Sequence, residues 1–307
     1  MKQECVTCIS EVIIDPNKFS EDGTVSLSNL SISPDGKFIA YSISDGGSDW
    51  KTWKVLDVYS NQLLEDTINW TKFSSGSWEA DSSGFYYQKY SEPKKVALSE
   101  INRSPKLYFH KVGTSQKEDL LIYDRPDKPN WSWGIQTSEE GTYRILSVSE
   151  GTDDSNRLFI QISKNNSFTP IVEELEATYI FLGNKGNDLW FFTNKNAPNG
   201  KIVKLKVNED ESFLWEDVIK ETAFPISGFS LINNKFVIEY LKDTLSKVDF
   251  FNLKGEFISS LRLPSNGSVS GFNGKRSDRY TYFSFTNYIT PTKIYEMDME
   301  TLVYEEY

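Results

Sequence analysis

Apolar positions along this chain fall into short runs of aromatic and β-branched residues, each led by a turn rich in Asp, Asn and Gly. The clearest run is Phe38-Ile39-Ala40-Tyr41, entered through Ser33-Pro34-Asp35-Gly36-Lys37. Comparable turns precede Phe85-Tyr86-Tyr87, Tyr143-Arg144-Ile145-Leu146, Leu189-Trp190-Phe191-Phe192, Phe236-Val237-Ile238 and Tyr280-Thr281-Tyr282-Phe283. Starting at 38, 85, 143, 189, 236 and 280, these runs are spaced by 47, 58, 46, 47 and 44 residues. A recurrence of roughly 40–50 residues built from short strands and turns marks propeller blades, whose sheets bury their faces only by stacking on one another. The pattern predicts an all-β chain: a β-propeller with six recognisable four-stranded blades plus the remnant of a further blade.

Within the first repeat, strands are expected at Leu30 to Ile32, Phe38 to Ser44, Trp50 to Val58 and Leu63 to Ile68, separated by Pro/Gly/Asp turns. In the second, Phe85 to Lys89 and Leu107 to Val112 flank Ser91 to Pro105, a long excursion of the kind that tends to be functional. Glu11-Val12-Ile13-Ile14-Asp15 reads as the last strand of an otherwise missing blade, carried by Val12 to Asp15. Helical periodicity is scarce, and Trp215 to Ile219 is better read as an outer strand. The expected organisation is an unstructured N-terminus over 1–10 and one propeller domain over 11–307. Loops between second and third strands (Asp45 to Asp49, Ser91 to Pro105, Glu150 to Ser155, Asn194 to Gly200) are expected on one working face.

Charge narrows the partners. Lys and Arg total 33 against 44 Asp and Glu, a net −11, which repels nucleic acid and anionic membrane, so neither is expected as a partner. No apolar run approaches the ~20 residues that span a bilayer, and Met1 to Ser10 lacks an apolar stretch, so a cytoplasmic protein is expected. Cys5-Val6-Thr7-Cys8 is read as a reduced pair. A zinc site needs four ligands and the lone histidine, His110, is distant in sequence, so no metal or other cofactor is expected.

The same scarcity limits catalysis. A Ser-His-Asp triad would have to use His110, and no G-x-S-x-G is present; Gly267-Ser268-Val269-Ser270-Gly271 puts Val at the nucleophile position. Carboxylate pairs such as Asp153-Asp154, Glu139-Glu140 and Asp45/Asp49 sit in turns, where acidic residues are common for local reasons. No catalytic residue is assigned.

Ser20-Glu21-Asp22-Gly23-Thr24-Val25-Ser26-Leu27, Ile32-Ser33-Pro34-Asp35-Gly36-Lys37 and Gly47-Ser48-Asp49-Trp50 together resemble the N-terminal β-propeller of prolyl oligopeptidases. Lys106-Leu107-Tyr108-Phe109-His110, Gly113-Thr114, Glu150-Gly151 and Asn156-Arg157-Leu158 continue the resemblance in order, over roughly 11–307. In that family a seven-bladed propeller caps an α/β-hydrolase domain that carries the serine peptidase triad and cleaves short peptides after proline. The resemblance implies a non-catalytic propeller that gates and selects such peptides, with the hydrolase domain as its partner in cis. A free-standing protein-interaction module is the alternative. It also implies substrate contacts at Arg157, in its Asn-Arg-Leu context, and at Tyr86 and Ile145 on second strands. From the residues alone, Arg157 also reads as a salt-bridge partner of Asp153 or Asp154.

Overall fold

The computed structural model describes residues 2–3, 8–95, 97, 102–163 and 167–307, excluding the side chain of Lys94. The chain divides into two compact units, Met1–Leu175 and Glu176–Tyr307. In the first, β1 (Val25–Ile32), β2 (Phe38–Asp45), β3 (Lys51–Asp57) and β4 (Gln62–Thr71) form an antiparallel meander. β5 (Ser77–Trp78), β6 (Gly84–Lys89), β7 (Lys106–Lys111) and β8 (Leu120–Tyr123) form the next, joined to the first where Thr71 pairs with Lys89. β9 (Trp131–Thr137), β10 (Tyr143–Glu150), β11 (Arg157–Ile162) and β12 (Thr169–Val172) form the third.

The second unit repeats the plan three times. β13 (Tyr179–Lys185), β14 (Asp188–Thr193), β15 (Lys201–Val207) and β16 (Phe213–Ile219) come first; β17 (Ile226–Ile232), β18 (Lys235–Lys242), β19 (Leu245–Asn252) and β20 (Phe257–Ser260) follow. β21 (Ser268–Gly271), β22 (Tyr280–Asn287), β23 (Thr290–Asp298) and β24 (Val303–Glu306) end the chain. All six predicted sheets are therefore present, with strands at the expected places.

Stacking explains the burial pattern. β6 is buried at Phe85, Tyr86, Tyr87 and Gln88 in succession, because this second strand has neighbours on both faces of its sheet. β18 does the same from Phe236 to Tyr240. In contrast β22 alternates, leaving Tyr280 and Tyr282 exposed on one face. Trp53, Val55, Trp78, Phe85 and Tyr87 fill the core shared by the first two sheets, and Tyr86, Leu107, Trp133, Leu146 and Phe159 that shared by the second and third. Each such side chain is worth about 1.5–3 kcal/mol in removed apolar surface. The chain passes the first core at Gly76, whose φ of +65° and position 2.7 Å (for an added Cβ) from the Trp53 ring leave no room for a side chain.

The turns use one recurring chemistry. Ser33 N donates to Phe38 O (2.9 Å), Gly36 N to Ser33 O (2.8 Å), and Asp35 accepts from Ser33 Oγ and Lys37 N. Ser138, Gly141 and Tyr143 repeat this arrangement in the third sheet.

Two expectations change. Val12 to Asp15 is not a strand: Glu11 makes an isolated bridge to Lys2, and a 3-10 turn follows at Pro16–Lys18. The apolar run that suggested a strand instead places Ile13 and Ile14 against Ile39, Tyr41 and Leu56. Cys8 is disulfide-bonded rather than reduced, and Cys5 lies outside the described residues. So does part of the Ser91 to Pro105 excursion, residues 96 and 98–101. No helix is long and apolar enough to cross a membrane among the described residues.

Candidate functional site

Antiparallel alternation brings the turns after β2, β6 and β10 to one edge of the first unit, together with the segments that leave β4 and β8. Hydrogen bonds tie these segments to each other: Tyr90 N to Trp70 O (2.9 Å), Ser104 N to Pro129 O (2.7 Å) and Trp133 Nε1 to Pro105 O (2.8 Å). For Asp45 to Asp49, the described ends of Ser91 to Pro105, and Glu150 to Ser155 this is the shared edge that strand direction predicts.

Backbone strain concentrates on the segment leaving β4. Trp70 (φ +63°) and Phe73 (φ +49°) both adopt the left-handed region, which bulky residues rarely occupy and which costs of order 1–3 kcal/mol each. Between them Lys72 is 5% exposed and lies over the Trp50 ring at 4.0 Å while donating to Asn102 Oδ1 at 2.8 Å. Trp50 meets Trp70 and Tyr90 edge-on. Burial lowers the Lys72 ammonium pKa, and Asp49 opposes that shift. Phe73 itself projects outward, 64% exposed.

A second cluster surrounds Trp131. Arg157 lies over its ring at 4.5 Å, with Arg125 at 5.0 Å and Lys128 at 5.5 Å, while the indole Nε1 donates to Glu150 at 3.1 Å. Arg157 Nε donates to Glu173 O (2.9 Å), and Nη1 lies 3.1 Å from Glu150 Oε2. An acidic partner of Arg157 is Glu150, at the end of β10, while Asp153, one of the two expected partners, accepts from Ser155 N. Indole, carbonyl and carboxylate together hold the guanidinium, and its buried Nη1, though close to Glu150, makes no hydrogen bond among the described residues.

Tyr86 and Ile145 are placed differently. The Tyr86 hydroxyl donates to Glu79 and accepts from Arg144 Nε (2.7 Å), which also reaches Glu79 (2.8 Å). Burial and then the Glu79 carboxylate raise the Tyr86 pKa. Ile145 is 2% exposed, wholly inside its sheet. Tyr86 lines a pocket of about 250 Å³ that Asn29 (β1), Ser77 (β5) and Gly134 (β9) also line, so the first strands of three successive sheets converge on it. Phe73 stands among its lining residues and Lys51 is its single charged one. Phe73, Lys72 and Lys51 carry no signal in sequence periodicity; only the unusual Trp-Thr-Lys-Phe composition at a strand end sets the segment apart.

His110 is fully buried between two carboxylates, Nδ1 at 2.7 Å from Asp119 and Nε2 at 2.9 Å from Asp66. Burial alone would lower its pKa, but hydrogen bonds to Asp119 and Asp66 outweigh this and raise it to about 9. Both ring nitrogens are occupied, so the ring has no nitrogen left to accept a proton from a nucleophile. Among the described residues no His/Cys/Asp/Glu group has the geometry to hold a metal ion.

Residues 3–305 match the family model described as the prolyl oligopeptidase N-terminal beta-propeller domain. The chain is 37% identical over 294 residues to a prolyl endopeptidase of Elizabethkingia meningoseptica, covering 95% of this chain and 41% of that protein. It is 29% identical to prolyl oligopeptidase A of Amanita bisporigera, covering 92% and 40%. The chain thus spans about two-fifths of the length of these relatives. Among solved structures, prolyl oligopeptidase B from Galerina marginata bound to a 25mer macrocyclization substrate superposes with a TM-score of 0.88 at 28% identity, covering 95% of this chain and 43% of that one.

Proposed function

Since the chain belongs to the prolyl oligopeptidase family through its N-terminal β-propeller domain, we propose that it gates and selects short proline-containing peptides for a hydrolase catalytic domain of the whole protein. The observation that carries this reading is the Arg157 guanidinium, held over the Trp131 ring by Glu150 and the Glu173 carbonyl at the edge where strained Trp70 and Phe73 also stand. A cation fixed before the ligand arrives loses little side-chain freedom on binding, and its fork suits peptide carbonyls. In this reading Arg157 contacts the peptide, Tyr86 lines the pocket of about 250 Å³ in the same unit, and Ile145 acts through packing only. The occupied nitrogens of His110 support a chain with no peptidase activity of its own.

The test is titration of the 307-residue chain with a short proline-containing peptide, followed by tryptophan fluorescence and calorimetry. Binding, measured where both chains are fully folded, should saturate and weaken about tenfold in Arg157→Ala, the effect of one charge-assisted hydrogen bond. Arg157→Lys keeps the charge without the fork and should fall between. Equal binding by all three chains would remove Arg157 from the site, and release of chromophore from a proline-linked chromogenic peptide would contradict the non-catalytic assignment.

A further inference from the structure

In a chain with 44 acidic residues, the pocket of about 250 Å³ at β1, β5 and β9 is lined by Lys51 and by no carboxylate. The Lys51 ammonium donates to Asn29 Oδ1 at 2.9 Å, and no acidic side chain pairs with it among the described residues. Asn29 Oδ1 also accepts from Ser42 Oγ (3.3 Å) and Ser28 Oγ (3.4 Å), so the amide oxygen is committed to these donors. That leaves the Asn29 NH₂ and the remaining Lys51 N–H groups as donors, with the hydroxyls of Ser75 and Ser77 in the same wall. Gln88, the other amide in the lining, is already engaged by Trp133 N (2.6 Å) and Tyr90 (3.0 Å). Phe73, Trp133 and Ile135 contribute apolar lining to the same pocket.

From this arrangement we infer that the pocket is a specificity site for the C-terminal residue of a peptide, its carboxylate on Lys51 and Asn29 and its side chain against Phe73 and Trp133. The inference rests on the peptide-binding reading above and adds the end of the peptide that is recognised. A donor set without a carboxylate selects an anion, and an apolar wall beside it selects an anion carried on an apolar body. The volume falls below the roughly 300–1,000 Å³ of pockets that enclose whole drug-sized ligands, which suits the end of a peptide rather than a passing length of it. Peptides with a free terminus nearby would be retained, and internal segments of long chains would not.

Three versions of one proline-containing peptide, titrated into the 307-residue chain, test this: a free C-terminal carboxylate, a C-terminal amide, and an amide whose last residue is glutamate. The free acid should bind about tenfold tighter than the plain amide, with the advantage shrinking as salt rises. Lys51→Met should erase that advantage and Lys51→Arg should keep most of it. Equal affinity for acid and amide, or discrimination that survives Lys51→Met, overturns the proposal while leaving peptide binding intact. Glutamate amide binding as tightly as the free acid overturns the assignment to a chain terminus. Failure of every peptide to bind overturns the peptide reading and this one together.

Discussion

Replacing His110 with glutamine removes the one positive charge from a buried cluster of two carboxylates. Asp66 lies on β4, Asp119 in the turn before β8, and Tyr87 of β6 donates to Asp119 at 2.6 Å, so the cluster joins the first sheet to the second. Gly113 N also donates to Asp66 (2.7 Å), and Gln116 doubles the joint by bonding Asn69 N and O. Raising the His110 pKa from 6.5 to about 9 corresponds to about 3 kcal/mol of folding free energy. Because the folded-state value lies above the unfolded one, that stability is fully present below about pH 6.5 and is lost as pH rises through about 9. His110→Gln should therefore cost about 3–5 kcal/mol at pH 6, the range for breaking a buried ion pair. The gap from the parent should narrow by about 3 kcal/mol by pH 10. Six of the eight tryptophans (50, 53, 70, 78, 131 and 133) lie in the first unit, so fluorescence-detected urea unfolding reports this joint. Comparing the two chains at each pH cancels the titration of distant lysines and tyrosines. A gap that stays constant from pH 6 to pH 10 would refute a buried imidazolium.

Other expectations follow from single sites. Glu239 is 8% exposed and burial raises its pKa to about 7, so its ionisation opposes folding. Glu239→Gln should leave stability unchanged near pH 4.5 and raise it by up to about 3 kcal/mol above pH 7, as measured by chemical denaturation across that range. Trp131→Ala should destabilise by about 3–5 kcal/mol by thermal and urea unfolding, through lost packing, and should also release Arg157. Gly255→Ala should cost more than about 1 kcal/mol, because its φ of +80° is retained only with a Cβ 2.0 Å from Val218 O; an unchanged melting temperature would show that the turn rearranges freely.

Much of the architecture was legible in the chain itself. A strand needs only local alternation and a turn needs only Gly, Asp, Asn or Pro at the right place, so Phe38, Phe85, Tyr143, Leu189, Phe236 and Tyr280 announced six sheets that the structure contains. The Asn156-Arg157-Leu158 run likewise put Arg157 at the start of β11. The apolar run misled at Val12 to Asp15, because apolar residues pack on a neighbouring sheet equally well without joining one. What Arg157 touches was beyond the sequence, since Trp131, Glu150 and Glu173 approach it from three different segments. The same holds for His110, whose partners Asp66 and Asp119 lie 44 and 9 residues away. Nothing local marks Lys51 as lacking a carboxylate partner among the described residues either, because that depends on which carboxylates other strands bring near it. Short-range patterning determines the elements, whereas burial, charge pairing and pocket chemistry depend on contacts between residues distant in sequence, and those exist only once the sheets have stacked.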